Sequence, residues 1–235
     1  MSASGIWLDV VDSTLDELHA RAAGGSPDGT WLVAAEQRAG RGSRGRSWHS
    51  PRGGLWLSVL RRGAATSAGL ELLSLRAGLA VAAVLDGLPP VAPVMLKWPN
   101  DLIVRGRKAG GLLGEARWLG TTPSWVAIGL GLNVRNAVPP ELADRAIALG
   151  ECCEETTVEA LAAPLASALA AIDLVAPLLT AQELEEFSRR DWLSGKRVVS
   201  PRAGTASGIE RDGSLIVTDD AGGRHRVRLG EVLVG

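Results

Sequence analysis

A segment rich in glycine and arginine is the first feature of this chain that suggests chemistry. Residues 40–48 read GRGSRGRSW, and the stretch between Glu36 and Glu71 contains seven arginines but no acidic residue. Glycines let a loop close over a ligand with N–H groups turned inward, and a guanidinium forms paired bonds with carboxylate or phosphate. The segment predicts a loop that encloses an anionic ligand; a plain solvated loop is the alternative.

Two common phosphate-binding motifs do not account for this segment. It satisfies the G-x-G-x-x-G pattern, but residues 50–54 read SPRGG and cannot continue as the helix that a dinucleotide-binding turn requires. No Gly-Lys-Ser/Thr sequence occurs, so a Walker A loop is excluded as well.

Lysine is rare in this chain, which has 22 arginines and only three lysines. Lys97 opens the sequence KWPNDL, and Lys108 opens KAGG. Because arginine is used almost everywhere else, these positions predict a need for a compact ammonium group. Asp101 suits Mg²⁺, which binds through one or two carboxylates together with phosphate oxygens. The alternatives are a simple turn around Asp101 and a solvated Lys108.

A third segment, residues 127–134, reads AIGLGLNV. Alternating glycines in an apolar strand indicate close approach of another part of the molecule, and Asn133 at the end of the strand is placed to reach a ligand. A packing constraint alone is the alternative explanation for the glycines.

The elements that must position these residues are predicted from periodicity and turn signals. Strands are expected at 6–11, 31–35, 55–60 and in four segments between 94 and 134. Helices are expected after a Ser13–Asp16 capping box and at 70–88, 140–149, 158–179 and 181–192. From Gly195 the composition changes to short apolar strands separated by glycine turns, which is typical of a small barrel of about five strands. We predict an α+β fold, a mixed β-sheet backed by helices, with a main domain at 1–193 and a C-terminal barrel at 194–235.

Composition excludes several classes of protein. The chain has 235 residues, is 46% hydrophobic and carries a formal charge of −1, so no overall field attracts DNA or an anionic membrane. Asp9 and Asp12 interrupt the only early apolar run, which argues against a secretory signal. Residues 160–179 contain prolines and an aspartate and are expected to form a packed helix, not a membrane span. The adjacent pair Cys152 and Cys153 builds neither a disulfide framework nor a zinc site, so a reducing, cytoplasmic location is expected.

In this order and at this spacing, the segments resemble the biotin–protein ligase family. Similarity extends from about residue 6 to the C-terminal Gly230-Glu231-Val232. The matching elements are the GRGSRGRSW loop, the KWPNDL element at 97–102, the K-x-x-G-x-L-x-E strand at 108–115 and the G-x-G-x-N-V strand at 129–134. The resemblance implies the class II synthetase-like catalytic fold of biotin and lipoate ligases, followed by an SH3-like β-barrel.

The resemblance also implies an activity. Biotin carboxylate would attack the α-phosphate of Mg-ATP to give biotinyl-5′-AMP and pyrophosphate, and a lysine of a biotin carboxyl carrier domain would then displace AMP. Biotin, ATP and Mg²⁺ are therefore the expected ligands, and a biotin-dependent carboxylase is the expected partner. A monomer or homodimer is expected, without DNA or a membrane as a partner.

Roles follow by position from the same resemblance. The implied catalytic residues are Lys108, Arg41 and Asp101, the last of which would also hold Mg²⁺. The implied biotin-binding residues are Ser13, Thr14, Gln37, Gly40, Arg41, Lys108 and Gly111. The implied ATP- and adenylate-binding residues are Arg44, Arg46, Trp48, Lys97, Asn100 and Asn133.

The chain departs from the family pattern at two positions. Ser43 stands where the family usually has a second arginine, which predicts weaker retention of the adenylate unless Arg44 compensates. Leu15 replaces a usual asparagine, so a helix cap is the alternative role for Ser13. The catalytic pattern begins within the first ten residues, so we expect a form without an N-terminal DNA-binding domain. Alternative functions are a lipoate–protein ligase and a non-catalytic biotin sensor.

Overall fold

The computed structural model describes residues 5–87, 93–228 and 230–235. Its strands are β1 (Ile6–Val11), β2 (Trp31–Gln37), β3 (Leu55–Arg61), β4 (Met95–Lys97), β5 (Asp101–Val104), β6 (Arg107–Leu119), β7 (Thr122–Leu132), β8 (Arg197–Ser200), β9 (Gly204–Ile209), β10 (Leu215–Thr218), β11 (Arg224–Val227) and β12 (Leu233–Val234). Its α-helices are α1 (Thr14–Ala23), α2 (Ser67–Glu71), α3 (Leu73–Asp86), α4 (Val158–Ala170) and α5 (Ala181–Arg190).

Seven strands form one mixed sheet in the order β1-β2-β3-β7-β6-β5-β4. Strands β1 and β2 are parallel, and the other neighbours are antiparallel. Val33 and Val59 belong to the main core, which holds α3 and α4, whereas Leu32 and Leu60 belong to a smaller core under α1. Successive strand residues point to opposite faces, so α1 covers one face and α3 and α4 cover the other.

Coverage of both faces explains the composition of the central strands. Residues 55–60 of β3 are all buried, as expected for a strand with helices on each side. The one polar residue among them, Ser58, donates a hydrogen bond to Thr14 Oγ1 at 2.9 Å. The sheet centre is thereby linked to the first residue of α1, which will matter for the site.

The last five strands form a separate antiparallel sheet in the order β11-β10-β9-β8-β12. This arrangement confirms the predicted fold, a mixed sheet backed by helices with a small C-terminal β unit. Closure of that unit into an SH3-like barrel and the domain boundary at 193/194 stay predictions.

The helix predicted at 140–149 is wrong. Only short 3₁₀ turns form at its two ends, because the backbone between them pairs with the sheet. Lys108 N donates to Arg145 O at 2.7 Å, and Ile147 N donates to Lys108 O at 3.0 Å. Leu149 N donates to Asn133 O at 3.0 Å. Residues 140–149 therefore hold the start of β6, including the backbone of Lys108, through hydrogen bonds.

Two other predicted helices differ in extent. The helix expected at 70–88 is divided at Leu72 into α2 and α3, and Leu88, its expected last residue, lies outside the described residues. The helix expected at 158–179 ends at Ala170.

Asp212 organises a turn of the C-terminal sheet and makes its stability pH-dependent. Its carboxylate accepts hydrogen bonds from the Ser214 backbone and hydroxyl, and from Arg226 at 2.7 Å and Arg228 at 3.0 Å. Burial alone would raise the pKa of Asp212, but the bonds from Ser214 and Arg226 outweigh it and lower this pKa to about 2. Stabilisation from the ionised carboxylate is therefore present above its ordinary pKa and is lost as the pH falls from about 4 towards 2.

We expect Asp212→Asn to lower the free energy of unfolding by about 1–2 kcal/mol at neutral pH. The loss should shrink below about pH 3, where the wild-type carboxylate also begins to be protonated. Urea unfolding at the two pH values measures this. Asp220→Asn, at an exposed ion pair with Arg197, serves as the control and should leave the midpoint unchanged. An equal loss at both pH values would contradict the assignment.

Candidate active site

A cavity of about 700 Å³ opens on the α1 face of the large sheet. Its walls come from the start of α1, the arginine–glycine loop (residues 40–48), strands β4 to β7, residues 136–146 and residues 231–234. The predicted site residues that line it are Ser13, Thr14, Gln37, Arg41, Arg46, Trp48, Lys97, Asn100, Asp101, Lys108, Gly111 and Asn133. Gly40 and Arg44 are not among the lining residues. The structure thus brings the separate sequence motifs to one place.

Strand register explains how the motifs meet. Lys97 on β4 is paired with Asp101 on β5, Asp101 with Gly111 on β6, and Gly111 with Gly131 on β7. Four residues from three sequence motifs therefore form one row across the sheet. One end of the row carries the ammonium of Lys97 and the carboxylate of Asp101. The other end is formed by Gly111 and Gly131, which have no side chains and which we call the glycine floor.

Lys108 lies three residues before Gly111 on β6, and its side chain reaches this row. Its Nζ lies 2.5 Å from Asp101 Oδ1 and 5.0 Å from the centre of the Trp48 ring. A register shift between Leu102 and Ile103 accompanies this placement. Burial lowers the pKa of the nearby Lys97 ammonium, opposed by Asp101 and reinforced by Lys108. Two ammonium groups thus flank one carboxylate at the cavity wall, and the excess positive charge suits an anionic ligand.

Trp48 lies against the glycine floor. A Cβ added to Gly131 would stand 2.8 Å from Trp48 Nε1, and one added to Gly111 would stand 3.6 Å from the ring. Packing of a side chain from another part of the molecule therefore explains Gly131, and a ligand-related role for the glycine pattern stays a prediction. Gly129, the other glycine of that strand, leaves room for Leu15 of α1. Trp48 Nε1 is buried without a hydrogen-bond partner among the described residues.

Gly131→Ala should therefore act through Trp48. The new methyl group has to displace the indole ring, which should cost about 1–3 kcal/mol of unfolding free energy, as overpacking usually does. In a Trp48→Ala background the same substitution meets no ring and should cost at least about 0.5 kcal/mol less. Urea unfolding of the wild type, both single variants and the double variant measures this coupling. Additive losses would show that the ring does not restrict position 131.

A polar cluster occupies the other end of the cavity, at the start of α1. Gln37 Oε1 accepts hydrogen bonds from Thr14 N at 2.8 Å and Thr14 Oγ1 at 3.0 Å, and Gln37 Nε2 donates to Ser50 Oγ at 2.8 Å. Ser13 is 2% exposed and its side chain makes no capping hydrogen bond. The predicted Ser13–Asp16 capping box is therefore wrong, and Asp16 instead accepts a hydrogen bond from Arg41.

Every arginine of the loop that we predicted to bind substrate is paired with a carboxylate. Arg41 donates to Asp16 Oδ2 at 2.6 Å and to Glu115 Oε1 at 3.1 Å. Arg46 Nη1 donates to Glu231 Oε1 at 2.5 Å, and Arg44 Nη1 lies 3.6 Å from Glu231 Oε2. The hydrogen bond from Arg41 to Asp16 raises the pKa of Arg41. The hydrogen bond from Arg46 to Glu231 lowers the pKa of Glu231. These carboxylates hold the loop to α1, β6 and the C-terminal segment.

The two predicted asparagines are held by neighbours. Asn136 Nδ2 donates to Asn133 Oδ1 at 3.1 Å, and Asn136 Oδ1 accepts from Val134 N at the same distance. Asn100 Nδ2 donates to Leu112 O at 2.7 Å, so this side chain fastens β5 to β6. Its ligand-binding role stays a prediction.

Sequence reasoning gave no role to several residues of the site. The quoted segments contain Glu115 and Glu231 but not Trp192. Glu231 and Trp192 line the cavity from distant parts of the chain. Lys196 Nζ lies 3.1 Å and Lys97 Nζ 5.6 Å from the centre of the Trp192 ring. All three lysines of the chain therefore lie on or beside the cavity wall. The rarity of lysine was the signal available for Lys196.

Only part of a metal site is present in the protein itself. In the described part of the chain, no group of three or more His, Cys, Asp or Glu residues is placed to hold a metal ion. Asp101 fits the single carboxylate that Mg²⁺ requires when phosphate oxygens supply the remaining ligands. Mg²⁺ at Asp101 stays a prediction.

The family comparison agrees with this geometry. The biotin/lipoate A/B protein ligase family matches residues 7–133, which is more than half of the chain. The chain belongs to this family. The predicted resemblance is thereby confirmed, although the family name includes enzymes for two different acids.

Individual relatives agree with the family assignment. The Bacillus subtilis bifunctional ligase/repressor BirA is 37% identical over 156 residues, which are 64% of this chain but only 47% of that protein. The biotin–[acetyl-CoA-carboxylase] ligase of Paracoccus denitrificans is 30% identical over 228 residues, covering 87% of this chain and 90% of that one. A biotin protein ligase from Aquifex aeolicus, solved in complex with biotin and ATP, superposes with a TM-score of 0.76 at 25% identity, covering 99% and 98% of the two chains.

The chain thus spans about half the length of the Bacillus relative. No helix in the described residues has both the length and the apolar character needed to cross a membrane.

Proposed function

We propose that this protein is an ATP-dependent biotin–protein ligase. It forms biotinyl-5′-AMP from biotin and ATP and transfers the biotinyl group to a lysine of a biotin carboxyl carrier domain. The observation that carries the proposal is the convergence on one cavity of the Thr14–Gln37 cluster, the arginine–glycine loop and the Lys97–Asp101–Lys108 charges, in a member of this family.

The two ends of the cavity suit the two substrates. At the α1 end, the polar groups of Ser13, Thr14 and Gln37 are fixed beside Leu15 and are suited to a compact polar ring with an aliphatic tail, such as biotin. At the other end, Trp48, Lys97 and Arg46 offer an aromatic face and cations, which suit a nucleotide. We place Lys108 between them, where the biotin carboxylate meets the α-phosphate.

The first step joins two anions, so its main obstacle is their mutual repulsion and their alignment. A carboxylate oxygen of biotin attacks the α-phosphorus, the bond from that phosphorus to the bridging oxygen breaks, and pyrophosphate leaves with the electron pair. The carboxylate is already a nucleophile, and no general base is needed. Lys108 offsets the charge that accumulates on the α-phosphate oxygens, and the cavity aligns the reacting atoms. Mg²⁺ held at Asp101 would offset charge on the phosphates of ATP.

The second step transfers the acyl group. The amine of the carrier lysine attacks the acyl carbon, AMP leaves with the electron pair of the mixed anhydride bond, and the amine proton passes to solvent. A closed arginine–glycine loop would keep water from the anhydride until the carrier arrives. We expect the acceptor to be a biotin-dependent carboxylase and the enzyme to act in the cytoplasm as a monomer or homodimer, without DNA or membrane as a partner.

Biotin-dependent exchange between pyrophosphate and ATP tests the first step. The purified protein should catalyse exchange with biotin and not with lipoate, and should then label a carrier domain. Exchange with lipoate alone would identify a lipoate ligase instead. Biotin binding without exchange would identify a sensor and overturn the proposal.

A further inference from the structure

A chain of partly buried hydrogen bonds lies behind the biotin end of the cavity. Trp125 Nε1 lies 3.0 Å from His19 Nδ1, and His19 Nε2 lies 2.9 Å from Glu115 Oε2. The indole N–H is only a donor, so His19 Nδ1 must accept. The neutral ring therefore carries its proton on Nε2 and donates it to Glu115. His19 is 8% exposed, so this arrangement is largely shielded from water.

Glu115 links His19 to the arginine–glycine loop. Its carboxylate accepts hydrogen bonds from Arg41 Nη2 at 3.1 Å and Nε at 3.3 Å. Arg41 is also held by Asp16 at 2.6 Å. Asp16 and His19 are three residues apart on α1 and share one face of that helix. One helical face thus holds Arg41 both directly and through Glu115.

We propose that His19 and Glu115 are positioning residues for Arg41, which fix the base of the arginine–glycine loop against α1 and β6. The proposal rests on the proposed function where it concerns biotin, because Arg41 lines the cavity beside Thr14 and Gln37. Sharing the Glu115 charge between His19 and Arg41 also keeps that carboxylate from repelling the biotin carboxylate. None of the steps derived above uses His19.

Protonation of His19 at low pH should weaken the hydrogen bonds from Trp125 to His19 and from Arg41 to Glu115. Burial lowers the pKa of His19, opposed by the hydrogen bond to Glu115 and reinforced by Arg117 and Arg41. The charged groups near the ring are Glu115 and Arg117 from β6 and Arg41 from the loop, while Trp125 on β7 contacts the Arg62 guanidinium. A second ring proton would stand against the Trp125 N–H and would draw Glu115 away from Arg41.

The experiment compares His19→Leu with His19→Gln, which keeps a donor for Glu115 and an acceptor for Trp125. Trypsin cleavage after Arg41, Arg44 and Arg46 reports release of the loop and needs no activity. We expect His19→Leu to be cleaved about fivefold faster and to have an about tenfold higher KM for biotin, with the KM for ATP within about twofold. His19→Gln should stay within about twofold of the wild type in all three.

A pH profile separates positioning from general support of the fold. The wild-type KM for biotin should rise as the pH falls below the ordinary range of histidine, because burial lowers the pKa of His19. This rise should be smaller in His19→Gln, which has no ring to protonate. If His19→Leu does not fold, Trp125→Phe removes the bond to Nδ1 while keeping an aromatic ring beside Arg62, and it should raise loop cleavage and the biotin KM about two- to threefold.

Unchanged loop cleavage and biotin KM in these variants would overturn the proposal, as would equal changes in both KM values without faster cleavage. A wild-type protein that shows no exchange would instead contradict the proposed function. The cleavage comparison would still decide whether His19 anchors the loop.

Discussion

Lys108→Ala should reduce biotin-dependent ATP–pyrophosphate exchange by about 10²–10³-fold. The ammonium of Lys108 points into the cavity and is paired only with Asp101 at 2.5 Å among the ion pairs of the described residues. Without it, Asp101 would add its negative charge to those of the carboxylate and the triphosphate, so both alignment and charge compensation would be lost. The loss should appear mainly in kcat, because the charge that Lys108 offsets grows in the transition state.

Two variants control this result. Lys108→Arg keeps a positive charge but replaces the compact ammonium with a planar fork, so we expect partial activity. Lys196→Ala removes the lysine that stacks on Trp192 outside the cavity lining, and it should change the exchange rate by no more than about fivefold. A fully active Lys108→Ala enzyme would mean that its role is misassigned.

Ser43→Arg should slow the escape of biotinyl-5′-AMP by about 10–150-fold, the value of one charge-assisted contact of about 1.5–3 kcal/mol. Ser43 lines the cavity at the position where the family resemblance implies an arginine. Its hydroxyl lies 3.3 Å from Arg46 Nη2. Arg44 is not among the cavity-lining residues and lies near Glu231, so we expect a guanidinium at position 43 to add a new contact.

The release of labelled biotinyl-5′-AMP from the preformed complex, followed by rapid filtration, measures this effect. Ser43→Gln is the matched control, because it adds length and hydrogen-bonding groups without charge, and it should gain much less retention. If Ser43→Arg releases the adenylate as fast as the wild type, the serine does not limit retention.

Much of the site followed from the sequence because its parts are local motifs. The glycine pattern of 127–134 and the rare lysines each marked a position that the cavity uses. Short apolar strands were recognisable as well, since both faces of the sheet are buried and the strands are nearly continuous in apolar residues.

Register and long-range pairing were not predictable from the sequence. The row from Lys97 to Gly131 depends on which strands are neighbours and on a shift beside Leu102, and neither leaves a local pattern. Arg46 pairs with Glu231, which is 185 positions away. The same reason explains the wrong helix at 140–149, because its backbone bonds to Lys108 and Asn133 override local propensity.

All three lysines lie on or beside the cavity wall, so labelling them would let NMR spectroscopy report on the cavity. Reductive methylation with isotopically labelled formaldehyde modifies side-chain amines and the α-amine, and leaves 22 guanidinium groups untouched. A spectrum of such a sample would contain signals from three lysine side chains, two that line the cavity and one beside it. Titrating nucleotide or biotin into it would show which lysine each ligand approaches, with the α-amine as the single other labelled group.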